Sequence, residues 1–344
     1  MRAVTIRAYG GPERVSVEDV PRPVPQDPLD VIIAVKAAAL NHLDLFVVNG
    51  LPGVTHEFPH VLGADGAGVV EAVGPAVRTV RSGDTVLINP GISCLTCAFC
   101  TKGEHGLCST YDMLGEHRPG TLAEAVRVPE SSVAKLPGKV SWTEAAAFPL
   151  VTLTAWRMLK TRAALQPGET VLIWGIGGGV ALAALQIAKL LGGRAIVTSS
   201  SDEKLERARS LGADETINHR SVDVAKEVRR LTEKRGAEIV VDSVGTATWE
   251  TSLRAIARGG RLVTCGGTSG PMVQMDIRRL FWHQYSILGS TMGNHAEFAE
   301  IAAHFGAGRL RPVVDHVYPL GEARAAFERM AKGEQFGKLV VEIG

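Results

Sequence analysis

The stretch GETVLIWGIGGGVALAALQIAKLLGG, residues 168–193, places an apolar strand, a glycine turn and an alanine- and leucine-rich helix in immediate succession. In that order, the backbone N–H groups of the turn and the helix N-terminus face a pyrophosphate. Ala181 fills the position where such a helix packs on its strand. A glycine-rich turn without a ligand is the alternative interpretation. The residues predicted to meet a dinucleotide here are Gly175, Gly177, Gly178, Gly179 and Val180.

Further strand and helix segments follow this unit. RAIVTSS is a second strand, and SDEKLERARSLGA is its helix. EIVVDSVG, RLVTCGG and YSILGSTMG are later strands, separated by helical or mixed segments. Strands that alternate with helices indicate a parallel, doubly wound α/β sheet of the Rossmann type.

The end of the second strand favours NADPH as the cofactor, with NADH as the alternative. Enzymes that prefer NAD usually carry an acid there, which binds the ribose 2′-hydroxyl. Here the strand ends in hydroxyl residues that include Ser199 and Ser200, and the first acid is Asp202. Hydroxyls with Lys204 and Arg220 nearby suit a 2′-phosphate better than a carboxylate does. Ordinary solvated surface charges are the alternative for both basic residues.

Composition limits the partners and the compartment. The chain has 344 residues, 45% hydrophobic residues and a formal net charge of +1. This balance gives no basis for nucleic-acid binding. No apolar run approaches the ~18 residues of a membrane span, and MRAVTIRAYG is not an apolar signal segment. We therefore expect a cytoplasmic protein without a nucleic-acid or membrane partner.

Four of the five cysteines lie within fifteen positions, in SCLTCAFCTKGEHGLC. Their spacing is C-x2-C-x2-C-x7-C, over Cys94, Cys97, Cys100 and Cys108. Stable disulfides are rare in the cytoplasm, and four thiolates form a closed tetrahedral zinc site. Such a site has no position open for water or substrate. The spacing predicts one structural zinc per subunit, and a redox-active or incidental thiol cluster is the alternative.

These motifs give the chain a resemblance to the medium-chain dehydrogenase/reductase superfamily, which includes zinc alcohol dehydrogenases and quinone oxidoreductases. It also rests on AAALNHLDLFVVNG, PHVLGADGAGVVEAVG, SGDTVLINPG, EAAAFPLVTLTAW and FGKLVVEIG. The resemblance implies a GroES-like β-barrel catalytic domain of residues 1–151 and 292–344, with a zinc lobe at 91–110. It implies a Rossmann NAD(P)-binding domain of residues 152–291. A homodimer paired through YSILGSTM is expected, with a homotetramer as the alternative.

The resemblance also implies further cofactor contacts along the second half of the chain. They are Thr154, Val244, Gly245, Gly266, Gly267, Ser290, Thr291, Met292 and Lys338.

The chain departs from the zinc alcohol dehydrogenases at their catalytic metal. The three positions that hold their zinc ligands correspond to Asn41, Ala64 and Leu150. An amide, a methyl group and an isobutyl group do not replace nitrogen, sulfur or carboxylate donors. A rearranged site using His42, His56, His60 and Asp65 is the alternative.

Without a Lewis acid, the reduction of enones, quinones and related activated alkenes is favoured, because the enolate that forms is delocalised. Asn41 is the expected polar anchor near the reacting carbonyl, Asp44 orients the loop, and His42 is a candidate catalytic residue. Candidate proton donors are His42, His117, Tyr111 and water. The alternatives are an alcohol or aldehyde dehydrogenase with an atypical metal site, a short-chain enoyl-CoA reductase, and an NADPH-binding sensor or structural protein without turnover.

Overall fold

The computed structural model describes every residue of the chain except Pro137 and Lys139. The described residues form two compact units, one of residues 1–151 with 293–344 and one of residues 152–292. The sequence assigns residue 292 to the first unit, whereas the structure puts Met292 in the second. In the described part of the chain, no helix has both the length and the apolarity needed to cross a bilayer.

The strands are numbered in chain order. They are β1 Arg2–Ile6, β2 Ser16–Asp19, β3 Asp30–Ala39, β4 His60–Val61, β5 Asp65–Val73, β6 Thr85–Ile88, β7 Gly91–Ile92, β8 Asp112–Met113, β9 Ala125–Pro129, β10 Val133–Lys135, β11 Thr170–Ile173, β12 Arg194–Ser199, β13 Glu215–Asn218, β14 Ala237–Val241, β15 Ile256–Thr264, β16 Ser286–Gly289, β17 Val314–Pro319 and β18 Lys338–Glu342.

The helices are numbered in the same way. They are α1 His42–Asn49, α2 Trp142–Ala147, α3 Pro149–Trp156, α4 Gly179–Leu190, α5 Asp202–Ser210, α6 Val224–Leu231, α7 Trp249–Ala255, α8 Ile277–His283, α9 His295–Gly306 and α10 Ala323–Ala331. A π-helix, Arg157–Arg162, follows α3.

The first unit is built around β3, whose residues are nearly all buried. Its main sheet has the order β10-β6-β5-β3-β18-β17, and β9 also pairs with β3. Strand β18 lies antiparallel to β3, with Val340 opposite Ala39. A segment from the C-terminal part of the chain thus completes a sheet begun by the N-terminal part. Valine, isoleucine and leucine side chains fill the core of this unit, because they suit buried, pleated surfaces.

The second unit contains a six-stranded parallel sheet with the order β13-β12-β11-β14-β15-β16. In chain order within the unit this is 3-2-1-4-5-6, the arrangement of a Rossmann fold. Ligands of such sheets bind outside the carboxyl ends of the strands, near the point where the strand order reverses. That point here is the end of β11, where the glycine turn begins. Both halves of the predicted fold class are confirmed.

Candidate active site and metal centre

The four cysteines of loop 91–110 come together in the first unit. Among the residues that the structure describes, they form the one group of three or more potential ligands with a geometry that could hold a metal ion. Their sulfur atoms all lie within 4.8 Å of one another. Two short 3-10 helices, Cys100–Lys102 and His105–Leu107, and a left-handed Leu95 with φ 63° bend the loop around them.

The cluster fits a structural zinc. Four sulfur atoms at 2.3 Å from a tetrahedral ion are about 3.8 Å apart, and Cys94 Sγ lies 4.0 Å from Cys100 Sγ. Hydrogen bonds from the Thr96 backbone N–H and hydroxyl, and from the Cys97 N–H, hold the pKa of the Cys94 thiol well below its usual value. Because the thiolate is the form that binds metal, these donors prepare the loop for zinc. With four sulfur ligands the ion would be closed to substrate, so its role would be structural.

A second polar cluster lies where helix α1 begins. The carboxylate of Asp44 accepts hydrogen bonds from the backbone N–H of Asn41 at 2.7 Å and from that of Gly63 at 3.1 Å. Gly63 has φ 98°, and a Cβ there would lie 2.8 Å from the backbone nitrogen of Leu122. Only glycine therefore allows this close approach of the two loops. These hydrogen bonds tie the start of α1 to the loop at Gly63.

Asp65 is the centre of this cluster. Its Oδ1 accepts a hydrogen bond from the backbone N–H of Leu150 at 2.7 Å, and its Oδ2 accepts one from Asn41 Nδ2 at 3.0 Å. The ammonium of Lys338 lies 2.9 Å from the same Oδ2 and also donates to Asn41 Oδ1. Asp65 is 0% exposed and Lys338 is 3% exposed. The hydrogen bonds that Asp65 accepts from Asn41 and Leu150, and the one that Lys338 donates to Asn41, offset part of the cost of burying this ion pair.

The three positions that correspond to zinc ligands converge on this ion pair. The side chain of Asn41 and the backbone of Leu150 both bind Asp65, and Ala64 is its neighbour in the chain. The sequence predicts a cofactor contact for Lys338, whereas both recorded hydrogen bonds of its ammonium go to residues of the first unit. The pairing of residues 65 and 338 has no signal in the local sequence, because 273 positions separate them.

Burial changes the acid–base behaviour of Asp44. The residue is 1% exposed, and burial raises its pKa to about 7, although the two backbone donors and the Lys338 ammonium oppose that shift. The neighbouring Asp65 adds to it, because two carboxylates do not ionise easily side by side.

The histidines of this region have different environments. The Nε2 atoms of His56 and His60 lie within hydrogen-bonding distance of the backbone oxygens of Glu116 and Gly115, respectively. His56 Nδ1 also contacts the hydroxyl of Tyr9 at 3.0 Å. These contacts occupy both ring nitrogens of His56 and the Nε2 of His60. By contrast, His42 is exposed at the first position of α1.

The two other candidate proton donors lie in or near the cysteine loop. His117 Nδ1 accepts a hydrogen bond from the backbone N–H of Met113 at 3.2 Å. Tyr111 packs close to Gly91, since a Cβ on that glycine would lie 2.1 Å from the tyrosine hydroxyl. Both residues therefore have structural contacts close to β7 and β8.

In the second unit, the glycine turn has the geometry of a phosphate cradle. Gly175 and Gly177 have φ of 69° and 122°, which favour glycine. Gly178 is the N-cap of α4, and Gly179 and Val180 are the first helical residues. A Cβ on Gly178 would meet nothing nearer than the oxygen of Gly175 at 3.6 Å, so the space beside the turn is open. The turn thus fits a pyrophosphate at the helix N-terminus.

The hydroxyl segment after β12 lies at the same edge of the sheet. Ser199 is its last strand residue and is buried, with its Oγ accepting the backbone N–H of Ser201. Ser200 and Lys204 follow, with Lys204 in the first turn of α5. Asp202 accepts a hydrogen bond from Asn218 Nδ2 at 2.7 Å. Arg220 is exposed after β13, the neighbouring strand. The structure therefore brings the predicted 2′-phosphate residues to adjacent strand ends.

The other predicted cofactor residues of the second unit also follow strands or helices that end at this edge. Val244 and Gly245 follow β14, Gly266 and Gly267 follow β15, and Ser290 and Thr291 follow β16. Thr154 donates a hydrogen bond to the sulfur of Met292 at 3.5 Å. The Oγ of Ser290 is buried without a hydrogen-bond partner. An orphaned buried hydroxyl at a strand end suits a site completed by a ligand.

A pocket of about 410 Å³ opens beside the turn. Some of the residues that line it were not predicted from the sequence. Its lining residues include Trp174, Gly175, His219, Val244, Thr248 and Arg254. The indole of Trp174 donates to Ser252 Oγ at 2.8 Å, and that hydroxyl donates to Asp242 Oδ2 at 2.7 Å. Asp242 also accepts the backbone N–H groups of Val244 and Gly245. In the sequence, only Asp242, the acid at the end of EIVVD, points to this network.

Comparison with known proteins gives the family of the chain. Residues 27–138 match the alcohol dehydrogenase GroES-like domain, and residues 179–307 match the zinc-binding dehydrogenase domain. A crystal structure of an NAD-dependent alcohol dehydrogenase is 47% identical, with a TM-score of 0.95 and all of both chains covered. The chain belongs to the medium-chain dehydrogenase/reductase superfamily.

Two curated relatives represent different branches of this superfamily. An alcohol dehydrogenase of Geobacillus stearothermophilus is 33% identical and covers 91% of this chain and 92% of its own. A quinone oxidoreductase of Pseudomonas aeruginosa is also 33% identical, covering 99% of both chains. As a medium-chain dehydrogenase/reductase, the protein is an NAD(P)-dependent oxidoreductase that acts on small molecules, and its four-cysteine cluster fits a structural zinc.

Proposed function

We propose that this medium-chain dehydrogenase/reductase reduces an activated alkene or a quinone with NAD(P)H and without a catalytic zinc. The observation that carries the proposal is the cluster around Asp65. Asn41 and the backbone of Leu150 bind its carboxylate, and Lys338 neutralises it. Where the zinc enzymes have three metal donors, this chain has an amide, a methyl group and an isobutyl group. None of these is a zinc donor.

The reaction class follows from the charge that develops on the substrate. Reduction of a simple ketone produces an alkoxide, which needs strong electrophilic help. An alkene conjugated with a carbonyl produces an enolate, whose charge is shared between oxygen and carbon. Hydrogen bonds and a proton from a side chain or water suffice for that charge.

The cofactor assignment rests on the second unit. The glycine turn would hold the pyrophosphate, and the pocket beside Trp174 would hold the adenosine. Bound NAD(P)H supplies a hydride. Ser199, Ser200, Lys204 and Arg220 would receive a 2′-phosphate, so we infer a preference for NADPH, with NADH as the alternative.

In the first unit, Asn41 and Asp44 position the start of α1 in our proposal, and His42 is the exposed polar group beside them. Both ends of the Asn41 amide already have partners, because Oδ1 accepts from Lys338 and Nδ2 donates to Asp65. This makes Asn41 a positioning residue for the cation beside it. We retain water and His42 as the sources of the proton.

A homodimer is the assembly that we propose. Strand β16 is the last strand of its sheet, and it pairs with β15 on one side. Helix α8, which precedes it in the chain, exposes Ile277, Phe281 and Trp282. Apolar helix residues next to a bare strand edge suit a second copy of this chain, because pairing two such edges protects both.

An alcohol dehydrogenase is the second candidate function, and the 47% identity with an NAD-dependent alcohol dehydrogenase favours it. One experiment separates the two. Zinc per subunit is measured, and turnover is then assayed with NADPH and NADH against enones, quinones, alcohols and aldehydes. We expect one zinc per subunit and turnover of activated alkenes or quinones. Two zincs and turnover of alcohols would replace our proposal with the alcohol dehydrogenase.

A further inference from the structure

A lysine ammonium occupies the cluster in which the metal ligands are replaced. Lys338 is the first residue of β18, and the pairing of β18 with β3 fixes its backbone beside the start of α1. Its Nζ donates to Asn41 Oδ1 and to Asp65 Oδ2. Because the residue is 3% exposed, this cation is held in a largely dehydrated environment.

The hydrogen-bonding capacity of this ammonium is not used up. A lysine ammonium has three N–H donors, and two of them go to Asn41 and Asp65. The third has no acceptor recorded among the residues that the structure describes. We propose that this third N–H of Lys338 binds the carbonyl oxygen of the substrate and stabilises the negative charge that develops there. This inference rests on the proposed function, and it names the residue that replaces the Lewis acid.

The surrounding charges suit that role. The ion pair with Asp65, at 2.9 Å, fixes the position of the Lys338 ammonium, so little reorganisation is needed when charge develops nearby. In a dehydrated site, a hydrogen bond from a cation to an oxyanion is much stronger than in water.

The proposed step balances as follows. The β-carbon of the conjugated alkene accepts a hydride, its π electrons move towards the carbonyl, and the oxygen becomes the anionic end of an enolate. Lys338 donates a hydrogen bond to that oxygen and keeps its proton. Water then donates a proton to the α-carbon and leaves as hydroxide, the carbonyl double bond re-forms, and the products are the saturated carbonyl compound and NAD(P)⁺.

The test measures oxyanion binding and does not depend on turnover. Substituted phenols of increasing basicity, in the presence of NADP⁺, serve as enolate mimics for wild-type protein and three variants. Lys338→Arg keeps the charge. The double variant Asp65→Asn/Lys338→Met removes both charges, so no unpaired buried carboxylate is left. Lys332→Met, at an exposed position after α10, is the control.

We expect wild-type protein and the Lys332 variant to bind the phenolates equally, with affinity that rises with phenolate basicity. We expect the double variant to bind at least tenfold more weakly and to lose that dependence. Lys338→Arg should retain most of the affinity. Wild-type affinity in a correctly folded double variant would overturn the inference.

A measurement on wild-type protein covers the case in which the double variant does not fold. In protein labelled with ¹⁵N at lysine, the ammonium resonance that is missing from Lys338→Arg should shift when a phenolate is added. A resonance that does not move would also overturn the inference.

Turnover of 2-cyclohexenone separates this inference from the proposed function. Phenolate binding through Lys338 without reduction of any activated alkene or quinone would refute the proposed function alone. Reduction of such substrates with phenolate binding that is indifferent to Lys338 would refute the role of the lysine alone.

Discussion

Replacing Cys97 with serine should remove the metal from the lobe at 91–110 without changing the chemistry of the enzyme. The four sulfur atoms lie within 4.8 Å of one another. Two thiolates at that distance repel each other by about 3.5 kcal/mol at an effective dielectric constant of ~20, so the six pairs together reach about 20 kcal/mol. Four thiolates therefore need a cation between them.

The size of the effect follows from the number of ligands. Structural zinc binds zinc-finger peptides with an apparent free energy of roughly 10–16 kcal/mol. One of four ligands then accounts for about 3 kcal/mol, or roughly a 100-fold loss of zinc affinity. The strands that flank the loop, β7 and β8, have two residues each. With so little backbone pairing, the loop should open locally when the metal leaves.

The assay combines zinc content, limited proteolysis and steady-state kinetics. Cys97→Ser should lose zinc on mild chelation and become sensitive to proteolysis within 91–110, while protein that keeps its fold retains its kcat/KM. Cys265→Ser is the matched control, because Cys265 lies outside the cluster. A variant that keeps its zinc and its protease resistance but loses turnover would refute the structural assignment and place the metal in the chemistry.

Three further predictions address the cofactor, the buried acid and the assembly. Ser199→Asp should lower the preference for NADPH over NADH at least tenfold, because a carboxylate repels a 2′-phosphate. The measurement is the ratio of the kcat/KM values for the two cofactors, and the exposed control Ser210→Asp should leave it unchanged. An unchanged ratio in Ser199→Asp would place the phosphate elsewhere. Folding raises the pKa of Asp44 from 3.8 to about 7, so the folded state binds the proton of this carboxyl more tightly than the unfolded state does. The stability that this proton contributes is lost as pH rises from the unfolded pKa to the folded pKa. The free energy of unfolding of wild type relative to Asp44→Asn, from urea titrations, should therefore fall between about pH 4 and pH 7, and a constant difference would contradict the raised pKa. Trp282→Glu should convert the dimer to monomers in light scattering, whereas Val24→Glu, an exposed apolar site in the first unit, should not; a wild-type monomer would contradict the assembly.

Features encoded by neighbouring residues could be predicted from the sequence. The strand, the glycine turn and helix α4 form one continuous stretch, and the order of the later strands follows from their alternation with helices. The cysteine cluster lies within one loop, so its spacing was sufficient to predict a metal centre. Contacts between residues that are close in sequence can be predicted with little knowledge of how the rest of the chain folds.

Contacts between distant residues could not be predicted in this way. The sequence shows that Asn41, Ala64 and Leu150 are not metal donors, but it does not show that Asp65 binds two of these positions or that Lys338 neutralises it. These contacts depend on strand register over long separations. The support of Trp174 by Ser252 and Asp242 has the same origin, since 78 positions separate Trp174 from Ser252.

The position of β18 has a consequence for how the protein is made. This strand lies between β3 and β17, so residues 37–39 of β3 lack their partner on that side, and β17 is not joined to the sheet, until residues 338–342 have left the ribosome. The 152–292 unit has no such dependence, because its own strands complete its sheet. Domains fold as units during synthesis. The nucleotide-binding unit, residues 152–292, should therefore reach its native fold before the unit that contains residues 1–151, although residues 1–151 are synthesised first. Lys338 is the first residue of this strand, so its ion pair with Asp65 cannot form in a nascent chain before then.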